Sequence, residues 1–414
     1  MSNRARKRIY LDYASTTPLD SRVQRVMEAY FSKTFGNPSS IHAEGVEAKK
    51  ALDGARISVA RSLEGRSEEV VFTSGGTEAN NLAIFGVVDS LANTHGREYL
   101  LKRGRPHVVT TTIEHASILE PLRELEKQGR CDVTYVEVEP RGIIQPERII
   151  SALRANTVLV SVQYANNEIG TIQPIRKIGQ MLQSFRSTKR SAQRSTLNVA
   201  KNRIPIFHTD ACQAPLYLRC LVNALGVDLM TLDGHKMYGP KGIGVLYVRR
   251  GTPLAPILLG GGQEKGMRST TENIPAVVGF AEALRIATGE REKESIRITK
   301  LRNHLYSCML KDMKIDFVVN GSMKEGERLP NNLNVSFPGI DTEFLTLQLD
   351  ASGVAVSTKS SCLTGEKESY VVKALGGGAR SAGATLRFTL GRHTTKKEIE
   401  YTTSVLLKLL EKGR

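Results

Sequence analysis

The stretch Leu232-Asp-Gly-His-Lys-Met-Tyr-Gly-Pro-Lys-Gly-Ile-Gly244 decides how the rest of the sequence is interpreted. It follows the apolar run Val227-Asp-Leu-Met-Thr-Leu232, which is typical of a buried strand, and its glycines indicate tight turns. Lys236 is therefore predicted to lie in a fixed loop at the end of a strand. Desolvation there favours the neutral amine, which forms Schiff bases with aldehydes. On this stretch alone, a lysine that only caps a turn is the alternative interpretation.

Composition limits the class of protein. With 414 residues, 40% of them hydrophobic, the chain can bury a large core in two domains or one elaborate one. The five cysteines include no C-x-x-C pair, which argues against a zinc site and against a disulfide framework. No apolar run reaches membrane-spanning length, and no apolar signal core precedes the strand-like Ile9-Tyr-Leu11. We therefore expect a cytoplasmic protein without a membrane partner.

The formal net charge of +16 is concentrated in the N-terminal tail and in segments 97–105 and 186–203. Segment 186–203 has six basic and no acidic residues. Such runs are usually solvated loops, and the regular interleaving of aromatic residues found in single-strand binders is missing. Direct nucleic-acid binding is not expected as the main function. Contact of segment 186–203 with an acidic acceptor protein or tRNA is a separate hypothesis.

A second motif predicts an anion site. Val70-Val-Phe-Thr73 is typical of a buried strand, and Ser74-Gly-Gly-Thr-Glu-Ala-Asn-Asn-Leu-Ala-Ile84 turns from it directly into a helix. Backbone amides at a helix start bind phosphate, with the positive end of the helix dipole behind them, and the Thr77 hydroxyl adds a donor. A simple N-cap formed by Ser74 or Thr77 is the alternative.

Strands and helices alternate after this motif, which predicts a doubly wound, mainly parallel sheet. The carboxyl ends of the strands in such a sheet line the ligand crevice. The residues predicted at those ends are His115, Asn167, Asp210, Gln213 and Lys236. Each has a structural alternative, such as a satisfied core histidine or a helix N-cap, but together they predict a functional site.

The second half of the sequence predicts a smaller α/β domain, reached by a long helix over about residues 274–290. In that half, segment 357–367 is polar and turn-like and presents Cys362 outside any apolar pattern. Unpaired cysteines are normally buried, and Lys359 and Lys367 would favour the nucleophilic thiolate. Cys362 is therefore a candidate nucleophile, with an accidental surface thiol as the alternative.

Ten short motifs carry a resemblance to a known family. They are Tyr10-Leu-Asp-Tyr-Ala-Ser-Thr-Thr-Pro18, Phe35-Gly-Asn-Pro38, Thr73-Ser-Gly-Gly-Thr-Glu78, Glu114-His115, Asn166-Asn-Glu-Ile-Gly170, His208-Thr-Asp-Ala-Cys-Gln213, Gly234-His-Lys-Met-Tyr-Gly-Pro-Lys-Gly242, Gly266-Met-Arg-Ser-Thr-Thr271, Ser361-Cys362 and Leu386-Arg-Phe-Thr-Leu-Gly391. From Ile9 to about Glu400 the chain resembles the class V, fold type I, pyridoxal-phosphate enzymes. Within them it is most similar to the cysteine desulfurases of the NifS/IscS kind.

The resemblance implies an α/β fold of the type I pyridoxal-phosphate transferases. Residues 15–262 would form a large cofactor-binding domain with a mainly parallel sheet. Residues 1–14 and 263–414 would form a smaller α/β domain that carries the cysteine loop. The resemblance also implies a homodimer, pyridoxal 5'-phosphate as the cofactor and no metal site.

The resemblance also implies a role for each matching residue. Lys236 would hold the cofactor as a Schiff base and act as the base at the substrate Cα, while His115 would stack on the ring. The other implied contacts are Asp210 with the ring nitrogen, Asn167 and Gln213 with the ring oxygen, Gly76, Thr77, His235 and, from the second subunit, Thr271 with the phosphate, and Asn37 and Arg387 with the substrate carboxylate.

The implied reaction removes sulfur from L-cysteine. The Cys362 thiolate would attack the substrate sulfur, giving L-alanine and a persulfide on Cys362. That sulfur would pass to an acceptor protein for iron-sulfur cluster assembly or tRNA thiolation. Two alternatives stay open: a selenocysteine lyase, and a non-catalytic basic RNA-binding or scaffold protein on the same fold.

Two features depart from the family's pattern. Family members commonly carry a small hydroxyl residue where this chain has Asp233. A carboxylate there should repel a phosphate dianion unless it points away or is protonated. Segment 186–203, in turn, looks like an insertion relative to compact members.

Overall fold

Strands and helices alternate along most of the chain in the computed structural model, which describes residues 8–192, 204–313, 315–358, 368–376 and 378–412. The strands are β1 (Ile9–Tyr10), β2 (Val70–Thr73), β3 (His107–Thr111), β4 (Asp132–Val136), β5 (Thr157–Ser161), β6 (Ile206–Asp210), β7 (Leu229–Asp233), β8 (Gly244–Val248), β9 (Val318–Val319), β10 (Asn332–Ser336), β11 (Val354–Ala355) and β12 (Thr385–Thr389). The helices are α1 (Ser21–Ser32), α2 (Ala43–Leu63), α3 (Gly76–Arg103), α4 (Ala116–Lys127), α5 (Pro146–Ser151), α6 (Ile175–Ala192), α7 (Val222–Leu225), α8 (Ile274–Asp312), α9 (Thr342–Ala351), α10 (Tyr370–Ala374), α11 (Gly378–Ala382) and α12 (Lys396–Lys412).

The central sheet has seven strands in the order β2-β8-β7-β6-β5-β3-β4. Strand β8 runs antiparallel to both of its neighbours, and the other pairs are parallel. The predicted mainly parallel sheet is therefore confirmed. Because helical crossovers join the parallel strands, their carboxyl ends meet at one edge of the sheet, where a ligand crevice forms.

Helices cover both faces of the inner strands of this sheet, and successive side chains of a strand point to opposite faces. Val70 and Phe72 of β2 pack in the largest apolar cluster, which includes residues of α2 and α8. Val71, between them, packs in another cluster with residues of α3 and α4. Strands covered on both sides in this way read as continuous apolar runs, which is why the sequence revealed them.

Strand β6 lies two residues later than its apolar pattern predicts. The run 204–207 predicts the strand, with His208 beyond its end, but His208 lies inside β6. The imidazole fits there because its two nitrogens bond to Ser161 on β5 at 2.9 Å and Thr231 on β7 at 3.1 Å. Hydrogen bonds to neighbouring strands thus replace the apolar contacts that the pattern requires.

The C-terminal part has its own antiparallel sheet, with strands in the order β12-β10-β9. The N-terminal strand β1 joins this part and pairs in parallel with β11. Ile9 and Leu11 accordingly pack in an apolar cluster with residues between 298 and 410. The division into residues 15–262 and residues 1–14 with 263–414 stays a proposal; this packing supports only the grouping of the N-terminal strand with the C-terminal part.

Helix α8 connects the two parts. It was predicted to end near residue 290 but has 39 residues and continues to Asp312. Phe280 in its first half is buried in the largest apolar cluster, and Leu305 in its second half is buried in the C-terminal cluster. The apolar spacing fades in the charged run 290–294, yet its Glu, Arg and Lys residues are good helix formers. Neither α8 nor another described helix has the length and apolar composition needed to cross a membrane.

A buried ion pair ties α2 to the segment after β8. Arg56 and Glu264 are 7% and 5% exposed, and guanidinium nitrogens donate to the carboxylate at 2.6 and 2.7 Å. Glu264 also accepts from the amide of Phe72, whose ring lies 5.0 Å from the Arg56 guanidinium carbon. Removing one partner of such a pair leaves the other charge buried and uncompensated.

We expect Glu264→Ala to lower the free energy of unfolding by about 3 kcal/mol or more, because Arg56 would stay buried without its anion. Urea unfolding followed by circular dichroism measures the change. Glu292→Ala is the matched control: Glu292 pairs with Arg219 in solvent, so its loss should cost less than about 1 kcal/mol. Equal costs for the two substitutions would contradict the stabilising role of the buried pair.

Candidate active site

A cleft of ≈ 750 Å³, including its open mouth, lies at the carboxyl ends of the parallel strands. Its lining includes nine residues that the sequence predicted for the site: Gly76, Thr77, His115, Asn167, Asp210, Gln213, His235, Lys236 and Arg387. Within the described ranges, no group of three or more His, Cys, Asp or Glu side chains could hold a metal ion.

Lys236 lies in a 3₁₀ turn directly after β7. Its Nζ donates to the carbonyl oxygens of Ala14 and Ser15 at 2.9 and 2.7 Å. Thr17 fixes the turn from the same side, because its hydroxyl accepts from the Tyr238 amide at 2.7 Å. The lysine is therefore held in a fixed loop at the strand end.

Asp210 ends β6 and lines the cleft. Its Oδ2 accepts from Asn80 Nδ2 at 2.8 Å, and its Oδ1 accepts from the Cys212 amide at 2.9 Å. Asn80 is 1% exposed and also donates to the Ser117 hydroxyl at 2.8 Å. Ser117 Oγ in turn lies 2.8 Å from His115 Nδ1. A chain of hydrogen bonds therefore joins Asp210 to His115 through Asn80 and Ser117.

The donors in this series of hydrogen bonds determine which nitrogen of the neutral His115 ring carries its hydrogen. Both Nδ2 hydrogens of Asn80 are used, so the Ser117 hydroxyl accepts from Asn80 and donates its own hydrogen to His115 Nδ1. The Ser117 amide also donates to Nδ1, at 3.1 Å. Because Nδ1 is an acceptor twice over, the neutral imidazole carries its hydrogen on Nε2.

Arg387 lies on β12 and is 1% exposed. One Nη donates to Asp12 Oδ1 and Ser15 Oγ, both at 2.8 Å, and the other donates to Asn167 O at 3.0 Å. Its buried Nε has no hydrogen-bond partner among the described residues. Since a buried donor without a partner is costly, this Nε indicates a place for a ligand acceptor in the cleft.

The start of α3, predicted to bind phosphate, already has an anionic partner. The Gly76 amide donates to Asp233 Oδ2 at 2.7 Å, and the His235 amide donates to Asp233 Oδ1 at 3.1 Å. The His235 ring bonds to Thr16 Oγ1 at 3.1 Å, and burial lowers the pKa of this imidazole. Asp233 thus points toward the predicted phosphate site rather than away from it.

Two predicted site residues do not line the cleft of the described chain, and a third lies outside the described residues. Asn37 is exposed, and its side-chain oxygen accepts from the Ser39 amide at 2.9 Å, so the described chain does not bring it to Arg387. Thr271 is also exposed and does not line the cleft of its own chain. Cys362 lies outside the described residues, so its place relative to the cleft stays a prediction.

Sequence reasoning missed Asn80, Ser117 and Asp12. A weak signal existed for the first, which lies one helical turn after the start of α3 and so on the same face as the predicted phosphate donors. Ser117 follows His115 by two residues, close enough to reach back to its ring. Asp12 lies 375 residues from Arg387 along the chain, and no local pattern connects them.

Four cysteines lie in the described residues, and each has a raised thiol pKa. Burial raises the pKa of Cys131 and Cys220 to about 12. Burial also raises the pKa of Cys212 well above its usual value, and that of Cys308 is raised by burial and by nearby acids. These four environments disfavour the thiolate, which is the nucleophilic form.

Comparison with known proteins identifies the family of this chain. The sequence model described as "Aminotransferase class-V" matches residues 9–188 and 194–402. The chain belongs to the aminotransferase class-V family. The short break in the match falls at the end of α6, in the segment that looks like an insertion.

The class-V relatives are similar over nearly their whole length. The cysteine desulfurase IscS of Dictyoglomus turgidum is 40% identical over 410 residues, which cover 99% of this chain and 96% of the relative. The solved structure of a NifS-like protein matches with a TM-score of 0.84 at 32% identity, covering 98% of this chain and 99% of its own. A structure described as SspA in complex with cysteine matches with a TM-score of 0.74 at 31% identity, covering 94% and 100%. The predicted fold type I architecture is confirmed.

Segment 186–203 of this class-V chain begins as helix, since α6 continues to Ala192; residues 193–203 lie outside the described residues. Arg186, the first of its basic residues, is largely buried. It pairs with Asp228 at 2.6 Å and donates to the carbonyl oxygen of Pro205 at 3.0 Å. Arg186 therefore stabilises the fold, and the hypothesis of a partner contact is restricted to the other basic residues.

Glu114 immediately precedes His115 and is fully buried. Its carboxyl group accepts from the Thr111 hydroxyl at 2.6 Å and from the Gln163 amide at 2.9 Å. Burial raises the pKa of Glu114 from 4.5 to about 8. Between these two values the folded chain keeps a proton that the unfolded chain releases, so folding stability falls as pH rises through this window.

Glu114→Gln should remove this pH dependence, because a neutral amide has no proton to lose. Relative to the parent, the variant should gain up to about 1.4 kcal/mol of unfolding free energy for each unit of pH between about 5 and about 8. Urea unfolding at several pH values measures the two slopes. Glu120→Gln, at an exposed residue paired with Arg123, should keep the parent's slope. Parallel slopes for the parent and Glu114→Gln would contradict the assignment.

Proposed function

We propose that the chain is a pyridoxal 5'-phosphate-dependent cysteine desulfurase that converts L-cysteine to L-alanine and leaves the sulfur on Cys362. One observation carries the proposal: a fixed lysine, Lys236, shares a cleft with the buried, incompletely bonded guanidinium of Arg387. An amine for a carbonyl group and a guanidinium for a carboxylate are the two contacts that an amino-acid substrate of such an enzyme needs. The near full-length similarity to cysteine desulfurases supports the choice of substrate.

Two polar groups of the cleft residues lack hydrogen-bond partners in the described part of the chain, and their chemistry suits a polar cofactor. Buried Asn80 Oδ1, like Arg387 Nε, has no hydrogen-bond partner among the described residues. The cleft therefore offers both an acceptor and a donor to a polar ligand. Asp210, fixed by Asn80, supplies the anion that a protonated ring nitrogen requires.

Different residues would hold different parts of the cofactor. Lys236 would bind the aldehyde carbon, and Asp210 the ring nitrogen. The other assignments are Asn167 and Gln213 to the ring oxygen, His115 to the ring face, and Gly76, Thr77 and His235 to the phosphate. When bound, the cofactor supplies an aldehyde for amino groups and a ring that accepts the electron pair of the substrate Cα–H bond.

The chain's own residues orient the substrate and move its protons. Arg387 binds the substrate carboxylate through donors that Asp12, Ser15 and Asn167 leave available, Nε among them. Lys236 Nζ takes the proton from the substrate Cα as a general base. The carboxylate contact fixes which substrate bond faces Lys236, so binding and proton transfer depend on the same geometry.

Cys362 receives the sulfur. Its thiolate attacks the sulfur of the substrate: an S–S bond forms, the Cβ–S bond breaks, and the electron pair of that bond takes up a proton, equivalent to the one lost by the Cys362 thiol, to form a C–H bond at Cβ. Lys236 then returns its proton to Cα, which gives alanine. Two observations support this role: the four described cysteines have raised thiol pKa values, and the residues on both sides of segment 359–367 contact the site. Ser357 pairs with Arg387, and Ser369 Oγ donates to Glu168, the neighbour of Asn167, at 2.6 Å.

A homodimer would complete the site, with Thr271 of the partner subunit at the phosphate. Large apolar side chains near Asn37 and Thr271 support this proposal: Phe35, Ile41 and Leu259 are all well exposed. Apolar side chains exposed in one chain can be buried against another in a dimer. A sulfur-acceptor protein is the second proposed partner, since the outer sulfur of the Cys362 persulfide must be transferred before another turnover.

The direct test measures alanine released from L-cysteine by the cofactor-loaded protein with excess thiol. We expect turnover by the parent and none by Cys362→Ala, because the variant has no thiol to accept the sulfur. Cys308→Ala is the control, since Cys308 lies on α8 outside the cleft; it should keep the parent's rate. Absence of alanine from the parent, despite a Lys236-bound chromophore, would refute the desulfurase proposal and favour selenocysteine as the substrate.

A second test addresses Asn80. Asn80→Ala should lower kcat for alanine release by about tenfold to a hundredfold, because Asp210 loses the donor that orients it. It should also shift the visible spectrum of the bound cofactor, which a purely structural defect would not do. Asn81→Ala is the matched control, since Asn81 donates to the Thr77 carbonyl of its own helix. Equal effects of both substitutions would refute the positioning role.

A further inference from the structure

The Asp233 carboxylate occupies the anion-binding end of the cleft. Its Oδ2 accepts from the Gly76 amide at 2.7 Å, at the first residue of α3, and its Oδ1 accepts from the His235 amide at 3.1 Å. The residue is 7% exposed. Both oxygens are thus satisfied by backbone donors, which is the arrangement expected of an ionised carboxylate at a helix start.

The surroundings fix the carboxylate close to the backbone. A Cβ atom added to Gly76 would lie 3.1 Å from Asp233 Oδ2 and 2.7 Å from Cys212 Sγ, so there is no spare space between these groups. The residues that line the opening beside Asp233 include Thr16, Gly76, Thr77, His235 and Lys241. The phosphate donors that the proposed function requires therefore line the same space as Asp233.

The charged neighbours of Asp233 come from several elements. His235 Nε2 lies 3.4 Å from its Oδ1, and Lys241 lines the same opening. Lys236 follows on the same turn, and Cys212 approaches from the segment after β6. Glu78 on α3 is paired with Arg268 at 2.8 Å and so adds little net charge.

A phosphate at this end must share the Gly76 amide with Asp233. Phosphate monoesters lose their second proton near pH ~6, so the phosphate that meets the Asp233 carboxyl group at neutral pH is mainly a dianion. Two anions in contact cannot both stay charged without a penalty, and the usual outcome is that one of them takes up a proton.

We propose that Asp233 sets the affinity for the cofactor phosphate. Without phosphate, the Asp233 carboxylate accepts the hydrogen bond of the Gly76 amide. When phosphate binds at this amide, the site takes up one proton. The inference rests on the proposed function, because it requires a phosphorylated cofactor. It predicts that cofactor binding weakens as pH rises, and that neutral residues at position 233 bind the phosphate more tightly.

The test compares pyridoxal 5'-phosphate with pyridoxal, which lacks the phosphate. Equilibrium dialysis of the full-length protein gives Kd for each ligand, and the ratio of the pyridoxal Kd to the pyridoxal 5'-phosphate Kd isolates the phosphate's contribution. In the parent this ratio should fall by up to tenfold per pH unit between about pH 6.5 and about pH 8.5, as expected for one proton. In Asp233→Ser and Asp233→Asn it should be at least tenfold higher at about pH 8 and nearly independent of pH.

Two variants are needed because Asp233 also caps a turn. Asp233→Asn keeps the shape and removes the charge, whereas Asp233→Ser removes both, so agreement between them assigns the effect to charge. Circular dichroism confirms that each variant is folded. If both folded variants keep the parent's ratio, or keep its pH slope, the inference is wrong, and a retained slope would then belong to His235.

The same experiment separates this inference from the proposed function. Lys236→Ala should weaken the binding of both ligands if the cofactor is attached at Lys236. If Lys236→Ala changes nothing, the proposed cofactor site is wrong and the inference falls with it. If Lys236→Ala weakens binding but the position-233 variants match the parent, only the role of Asp233 is refuted.

Discussion

Segment 12–17, which follows β1 and includes a turn at residues 13–15, holds the two halves of the cleft in place. The Ala14 and Ser15 carbonyl oxygens accept from Lys236, in the turn after β7 of the central sheet, and the Ser15 hydroxyl accepts from Arg387 on β12 of the C-terminal sheet. Backbone groups that are buried away from water need partners, so moving this segment would break the contacts on both sides at once. The position of the lysine relative to the arginine, and with it the chemistry of the cleft, depends on these few hydrogen bonds.

Each end of the cleft that is proposed to bind an anion already contains a carboxylate of the chain. Asp12 pairs with Arg387 where the substrate carboxylate is proposed to bind, and Asp233 accepts from Gly76 where the phosphate is proposed to bind. These internal anions keep buried donors satisfied when the cleft holds no ligand. They also reduce the net positive charge that a ligand meets in the cleft.

The sequence predicted those parts of the site that depend on neighbours along the chain. The turn at Lys236 and the helix start at Gly76 follow from apolar runs and glycines within a few residues, and the structure has both. Asn80 was missed because its partner Asp210 lies 130 residues away, and the pairing exists only after the sheet has formed. The bounds of β6 were wrong for a related reason: His208 is stable inside a strand only because two other strands supply its hydrogen-bond partners.

The ion pair between Asp12 and Arg387 joins residues 375 positions apart in the sequence. A ribosome that adds about 5 to 20 residues per second needs roughly 20 to 80 s to make the intervening chain. During that time the central sheet can be complete, with Lys236 in its turn, while strand β12 is still unmade. The nascent protein consequently has no finished cleft until β12 has been made, and Lys236 gains Arg387 as a neighbour only after the central sheet has been synthesised.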